Sequence, residues 1–248
     1  EMDKVLKEQV NAVVDNPNSK LTTAWDEAFN ATLDSYLGEI PSTFEYEGRE
    51  YTPQSFARDY VGLDMANYVE ISSYTHHPFY SQFILEVPDN WSWGSVYNVP
   101  LDEMQEIIDN AIDCGYTVAW AADISEKGFS TSRLGVALVD DAAIENIPEL
   151  FIENDTLNVN SSEFAITQEM RQAAFDNYET TDDHAMHIVG IAVDQDGEEF
   201  YKIKNSWGNY NKFNGYFYAS KPYVKFKTTC IMVHREAVPK RIREKLNL

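Results

Sequence analysis

The run from Asp182 to Gly208, DDHAMHIVGIAVDQDGEEFYKIKNSWG, constrains this chain more than any other stretch. Its first part is apolar, contains Gly190 and carries β-branched residues at Ile188, Val189, Ile191 and Val193, so it reads as a strand rather than a helix. Asp196-Gly197 supplies a turn, and EFYKIKNSW returns as a second strand. The pair carries an imidazole, His184, and 21 residues later a carboxamide, Asn205, followed at once by Ser206, Trp207 and Gly208.

Those residue types suit one kind of chemistry. A histidine at the end of a strand works as a general base only if something fixes its tautomer and ring plane. A carboxamide oxygen accepting from one ring nitrogen does this without adding charge. The other nitrogen is then free to face a thiol, and a thiolate beside an imidazolium has its pKa lowered by several units, the usual route to a reactive cysteine. Trp207 is placed to cover the histidine–asparagine hydrogen bond and exclude water, which strengthens it. The run reads as half of a thiol active site.

The rest of the chain supplies the frame. Met2, Val5, Leu6, Val10 and Val13 form one stripe of a helix over residues 2–14. A second helix has Thr23 as its cap, Trp25, Phe29 and Leu33 on its apolar face, and Gly38 with Pro41 at its end. Phe44 to Tyr51 alternates around Glu47-Gly48 as a hairpin, and Thr52-Pro53 opens a short helix. Residues 72–88 run into an aromatic and β-branched strand. Leu101, Met104, Ile108, Ala111 and Ile112 make a helical stripe stopped by Gly115, and Tyr116 to Ile124 is a buried strand. Residues 125–165 lack periodicity and read as a long surface excursion. A helix over 166–178, with Thr167 as cap, leads into the central run, after which GYFYAS and TTCIMVHRE continue the sheet and a basic helix closes the chain.

Composition bounds the partners. The net charge of −22 argues against nucleic acid, whose phosphates need a basic footprint. The charge is uneven: residues 1–200 carry 8 Lys/Arg against 39 Asp/Glu, and residues 201–248 carry 11 against 2. A basic tail docking on the acidic body, or on a neighbouring subunit, is the plain expectation. No apolar run reaches membrane-spanning length, and the opening EMDKVLKEQV is neither a signal peptide nor an initiator-methionine start, so the chain reads as beginning partway through something.

Four further segments, YTPQSFARDYVG (51–62), YNVPLDEM (97–104), TVAWAADISEKGF (117–129) and VDQDGEEFYKIKNSWG (193–208), together with HAM and NGYFYAS, resemble the bleomycin hydrolase and aminopeptidase C branch of the papain-like cysteine peptidases. The resemblance runs from about residue 20 to the end. It implies that His184 is the catalytic base and acid and Asn205 its orienter, with Trp207 as shield and Asp183 and Ala185 as supporting cleft residues. It implies an α+β fold in which the helices accompany an antiparallel β-barrel-like right domain. The expected division is a mainly helical segment over 1–70, the His/Asn domain over 71–236 and a basic tail over 237–248. It further implies thiol aminopeptidase action on peptides, no cofactor and no metal, a barrel-like hexamer, and a cytoplasmic setting, with an exported form left open.

The chain departs from that pattern in its nucleophile. Papain-type spacing puts the cysteine about 130 to 150 residues before the His–Asn region, near the start of this chain, where there is none. Cys114 sits at a helix C-terminus, where the dipole disfavours a thiolate, and Cys230 reads as a small core residue within a strand. The expectation is a chain that supplies His and Asn to a thiol borne on an N-terminal part of the same protein. The alternative is a nucleophile-less pseudopeptidase that binds peptides or proteins. Other candidates read as structural. His184 and His187 point to opposite faces of a strand, His76 and His77 diverge along an extended segment, and Asp194 to Gly197 is a hairpin turn rather than a calcium loop.

Overall fold

The computed structural model of the protein describes all residues except 19, 140–151, 154–155 and 160–162. The chain divides into two compact units, Glu1–Asp64 and Met65–Leu248. In the first, helices α1 (Met2–Val14) and α2 (Ala24–Leu37) are tied by Gln9 Nε2 donating to Thr32 Oγ1 at 2.8 Å. The hairpin of β1 (Phe44–Tyr46) and β2 (Arg49–Tyr51) precedes α3 (Pro53–Phe56), whose cap Thr52 exchanges reciprocal hydrogen bonds with Ser55. A π-helical turn over Ala57–Val61 brings Tyr60 onto Phe56, ring centroids 4.8 Å apart. Neither α1 nor α2 buries a residue fully, and Tyr51 is the one buried apolar side chain described in this unit.

The second unit is built on a sheet of twelve strands among the described residues. These are β3 (Tyr68–Ser72), β4 (Gln82–Ile84), β5 (Ser95–Asn98), β6 (Val118–Ala122), β7 (Phe129–Ser130), β8 (Val136–Ala137), β9 (Ile152–Glu153), β10 (Thr156–Leu157), β11 (His184–Asp194), β12 (Glu199–Lys204), β13 (Tyr216–Ser220) and β14 (Thr228–His234). The main path runs β4-β5-β3-β14-β6-β11-β12-β13-β8-β7, with β10 joining β11 and β9 joining β10. Most pairs are antiparallel, but β3–β5, β13–β8 and β10–β11 are parallel. This corrects the expected antiparallel barrel. The fold is α+β, but the sheet is mixed and its path is open, ending at β4 and β7. Parallel pairs join strands distant in sequence, so no local alternation announces them.

Helix α4 (Leu101–Asp113) covers the sheet with Leu101, Met104, Ile107, Ile108 and Ala111, all buried against Trp120, Ile188, Tyr201 and Ile203. Its pattern was legible because every third or fourth residue is apolar. Helix α5 (Gln168–Asp176) is capped by Thr167, whose Oγ1 accepts from Met170 N at 3.2 Å. After β13 the chain forms helix α6 (Lys221–Lys227), where Ser220 caps and Pro222 takes an early position, before entering β14. Helix α7 (Lys240–Leu246) buries Ile242 and Leu246, while Arg241 and Lys245 meet Glu103 at 2.9 and 2.7 Å. The basic tail thus docks on the chain's own acidic body.

The expected surface excursion over 125–165 is corrected in part. Leu134, Val136, Leu138, Leu157 and Val159 are buried and, with Phe200 and Tyr218, form a second core; residues 140–151, 154–155 and 160–162 of that stretch lie outside the described residues. Strand β11 carries a one-residue register shift against β12 between Ile188 and Gly190. Before the shift Met186 and Ile188 enter the main core; after it Ile191 does, while Ala192 packs on the second core. An extra residue reverses which parity faces inward.

Candidate active site

His184 opens β11 and pairs with Ala122 of β6, so its backbone is held in the middle of the sheet. Asn205 directly follows β12, and its backbone N donates to Gly215 O at 3.1 Å. Gly215 sits at φ +79°, and a Cβ there would lie 2.1 Å from Gly208 O, so only glycine lets the two loop segments close this tightly. The hairpin therefore returns the carboxamide to the imidazole. His184 Nε2 lies 2.8 Å from Asn205 Oδ1.

Asn205 is 2% exposed and held from every side: Oδ1 also accepts from Ser206 N at 2.7 Å, and Nδ2 donates toward Tyr210 Oη at 3.3 Å. Because Oδ1 is an acceptor, the histidine must carry its proton on Nε2, which leaves Nδ1 as the acceptor in the neutral ring. Nδ1 meets no partner among the described residues. The Trp207 ring lies over the imidazole, centroids 4.9 Å apart and planes inclined by 33°. Phe129 meets Trp207 edge-on at 6.4 Å and Tyr210 meets it at 5.3 Å, so the cover is itself propped. Tyr210 and Phe129 were not singled out in the sequence. The first lies five residues past Asn205 in a loop, the second in the aperiodic stretch, and neither has a signal of its own.

The other sequence candidates divide. Ala185 is exposed and its backbone pairs with Ala121. The Asp183 carboxylate accepts from Thr181 Oγ1 at 2.6 Å and from Ile124 N at 3.4 Å, so its partners are the loops beside the strand rather than the His184 ring. His187, on the opposite face, sits 2.8 Å from Thr117 Oγ1, and partial burial lowers its pKa. Beneath the site, burial alone would raise the Asp123 carboxyl. Hydrogen bonds from Ser125 and Thr181, with the charge of Lys227, outweigh that and hold it below the usual range. Lys227 is itself buried and donates to Glu179 O at 2.9 Å, anchoring the loop that carries Asp182 and Asp183 to β11.

Neither cysteine faces His184. Cys114 is exposed at the end of α4. Cys230 lies opposite Ala121, which lies opposite Ala185, so strand β6 stands between it and β11, and two strand spacings are about 9–10 Å. Burial, with Glu70 and Asp182 nearby, pushes its thiol up to about 12.

The expectation that His76 and His77 diverge is overturned: both Nε2 atoms converge on Glu86, at 3.1 and 2.6 Å. The three side chains have metal-like proximity, but the surrounding hydrogen bonds oppose ligation. Gln172 Oε1 accepts from Thr75 N, which turns its Nε2 toward His76 Nδ1 at 3.0 Å. Nδ1 is then an acceptor and Nε2 carries the proton given to Glu86, whereas a metal on Nε2 needs that nitrogen bare.

The fold and this pair place the chain among proteins of the papain-like thiol class. The Peptidase C1-like family model matches residues 43–248, and the chain belongs to that family. Among curated relatives, aminopeptidase C of Listeria monocytogenes is 26% identical over 226 residues, covering 85% of this chain and 47% of the relative. Aminopeptidase C of Lactobacillus delbrueckii subsp. lactis is 28% identical over 203 residues, covering 76% and 41%. The chain spans about half the length of the relatives it matches. The crystal structure of PepW from Lactobacillus rhamnosis HN001 shares the fold, with a TM-score of 0.63 at 19% identity, covering 99% of this chain and 55% of that one. The resemblance to the aminopeptidase C branch read from the sequence therefore stands. Among the described residues no helix is long and apolar enough to cross a membrane.

Proposed function

We propose that this chain supplies the base and its orienter to a cysteine peptidase of the aminopeptidase C type, acting on short peptides. The observation that carries the reading is the 2.8 Å contact of His184 Nε2 with the buried Asn205 Oδ1, under Trp207, which leaves Nδ1 open. His184 takes the proton of a cysteine thiol through Nδ1, and the thiolate attacks the peptide carbonyl. The same imidazolium then protonates the leaving amine, and water completes hydrolysis of the acyl-enzyme. Asn205 keeps the ring in one tautomer and one plane through both transfers. The thiol comes from outside these 248 residues, since Cys114 and Cys230 both lie away from the ring. Assembly into a homo-oligomer belongs to the same proposal by kinship with the family.

Hydrolysis of aminoacyl-coumarin amides by the protein expressed from its complete gene tests this. Activity abolished by a thiol-directed epoxide, with the label on a cysteine other than Cys114 or Cys230, is the expected result. Label on either of those residues overturns the assignment. Peptide binding with no turnover favours the pseudopeptidase reading instead, which the position of the two cysteines keeps in view.

A further inference from the structure

Residues 205–215, which join β12 to β13, carry Asn205, Trp207 and Tyr210, and the far end of this loop is pinned. Asn211 Nδ2 donates to Thr131 O at 3.0 Å and to Tyr216 O at 2.8 Å, while its Oδ1 accepts from Phe213 N at 3.0 Å and Gly215 N at 3.1 Å. Both amide protons and both lone pairs of Asn211 are thus used. Phe213 packs on the second core, its ring so close to Gly135 that a Cβ there would lie 2.1 Å away. Tyr210, the neighbour of Asn211, is half-buried and starts from a fixed backbone rather than from a free surface loop.

How a carboxamide is held decides what Tyr210 does from there. A bond to Oδ1 alone sets where the oxygen sits but leaves the amide plane to turn about χ2, a broad torsion in asparagine. Ser206 N holds the oxygen of Asn205, and the nitrogen end needs a partner of its own. Among the described residues the Tyr210 hydroxyl, at 3.3 Å, is the one acceptor that meets Nδ2. With both ends held the plane is fixed, and the imidazole bonded to Oδ1 takes its own plane from it. Asn205 is buried, so solvent does not stand ready to replace the phenol.

The ring of Tyr210 is a second and separable hold. Trp207 is 46% exposed, so its place over His184 depends on what meets its edges, and Tyr210 meets it at 5.3 Å with the planes inclined by 70°.

We propose that Tyr210 is a positioning residue of the histidine site. Its hydroxyl fixes the amide plane of Asn205, and through it the tautomer and plane of His184, while its ring edge keeps Trp207 over the pair. The part this plays in turnover rests on the peptidase reading of His184.

The test reads the imidazole directly. In the full chain labelled with 15N-histidine, the difference from H184Q identifies the His184 nitrogens among the five histidines. At pH 8 the wild type should show Nε2 protonated and Nδ1 bare as two separate signals. Y210F keeps the ring and its packing. In that variant the two signals should move toward each other as tautomers mix, while those of His76, His77, His187 and His234 stay in place. In the protein expressed from its complete gene, Y210F should lower kcat about tenfold with KM within about twofold, and Y210L, which also removes the ring edge, about a hundredfold. Unchanged His184 nitrogens in Y210F overturn the proposal, and so do nitrogens that shift together with those of the other four histidines, the mark of a purely structural role. A raised KM with kcat kept also overturns it, in favour of substrate contact. A wild type without hydrolysis that still shows the tautomer change breaks the peptidase reading and leaves the hold on the ring standing. Hydrolysis lost in H184A but untouched in Y210F does the reverse.

Discussion

Two histidine sites in this chain use the same ring with different partners. His184 leans on a carboxamide that is 2% exposed, whereas His76 and His77 share a carboxylate whose side chain is about half exposed. Glu86 is drawn two ways: burial raises its carboxyl, but hydrogen bonds from His77 and His76 outweigh this and hold it below the usual range. A charged partner is committed to whichever proton keeps the pair neutralised. A neutral partner fixes the plane of the ring and leaves its proton free to travel. Orientation without charge is one way to hold a base that must later act as an acid, and it leaves the ring's affinity for its proton unraised by a neighbouring carboxylate.

The contrast can be broken at four strengths. Replacing His184 by Ala in the intact protein should lower kcat at least about a thousandfold with an unchanged circular dichroism spectrum, because both proton transfers lose their carrier. Retained turnover would remove His184 from the mechanism. Alkylation of Cys230 by iodoacetamide should run at least about a hundredfold slower than that of free cysteine at pH 8, since a thiol held at about 12 offers almost no thiolate. Fast labelling would show that the strand is open and that Cys230 competes for the role of nucleophile.

N205D turns the first site into a version of the second. The added carboxylate favours the imidazolium, so the limb of the pH–rate profile set by its deprotonation should move up by about one unit while folding is kept. An unmoved limb would mean that the side chain at 205 does not govern the ring. The smallest effect belongs to E86Q. Because the Glu86 carboxyl is depressed in the folded protein, its contribution is present above the ordinary carboxylate range and is lost as pH falls through the folded value. At pH 7 the substitution should cost less than about 1 kcal/mol by urea melt, since the group is half exposed, and it should flatten the acid limb of stability.

Much of the frame was legible because its signals are local. The stripes of α1 and α4, the Thr167 cap and the alternation on either side of Asp196-Gly197 each sit within one window of sequence. What escaped depends on distance. The parallel pairings join remote strands, and Phe129, 78 residues before Trp207, reaches it only once the sheet is assembled. His76 and His77 were read as diverging because an extended chain alternates its side chains. The structure instead has a turn there, and Glu86 gathers both rings. Helix α6 was hidden between two strand-like runs, its start set by Ser220 and Pro222 rather than by any apolar stripe.

The register shift in β11 gives the strand a phase. Counting from the hairpin, the odd residue Ile191 enters the core; counting from the imidazole, the even ones Met186 and Ile188 do, and the one extra residue near Val189 reconciles the two counts. Deleting Val189 would make the pairing of β11 with β12 continuous and leave Ile188 and Ile191 both facing the interior, so the His184 end would keep its face. Between the histidine and the turn, then, the chain is indexed like a gear: one residue more in the regular part of the strand turns the ring to the other face, and two more keep the face but carry the ring about 6–7 Å along the sheet, away from Asn205.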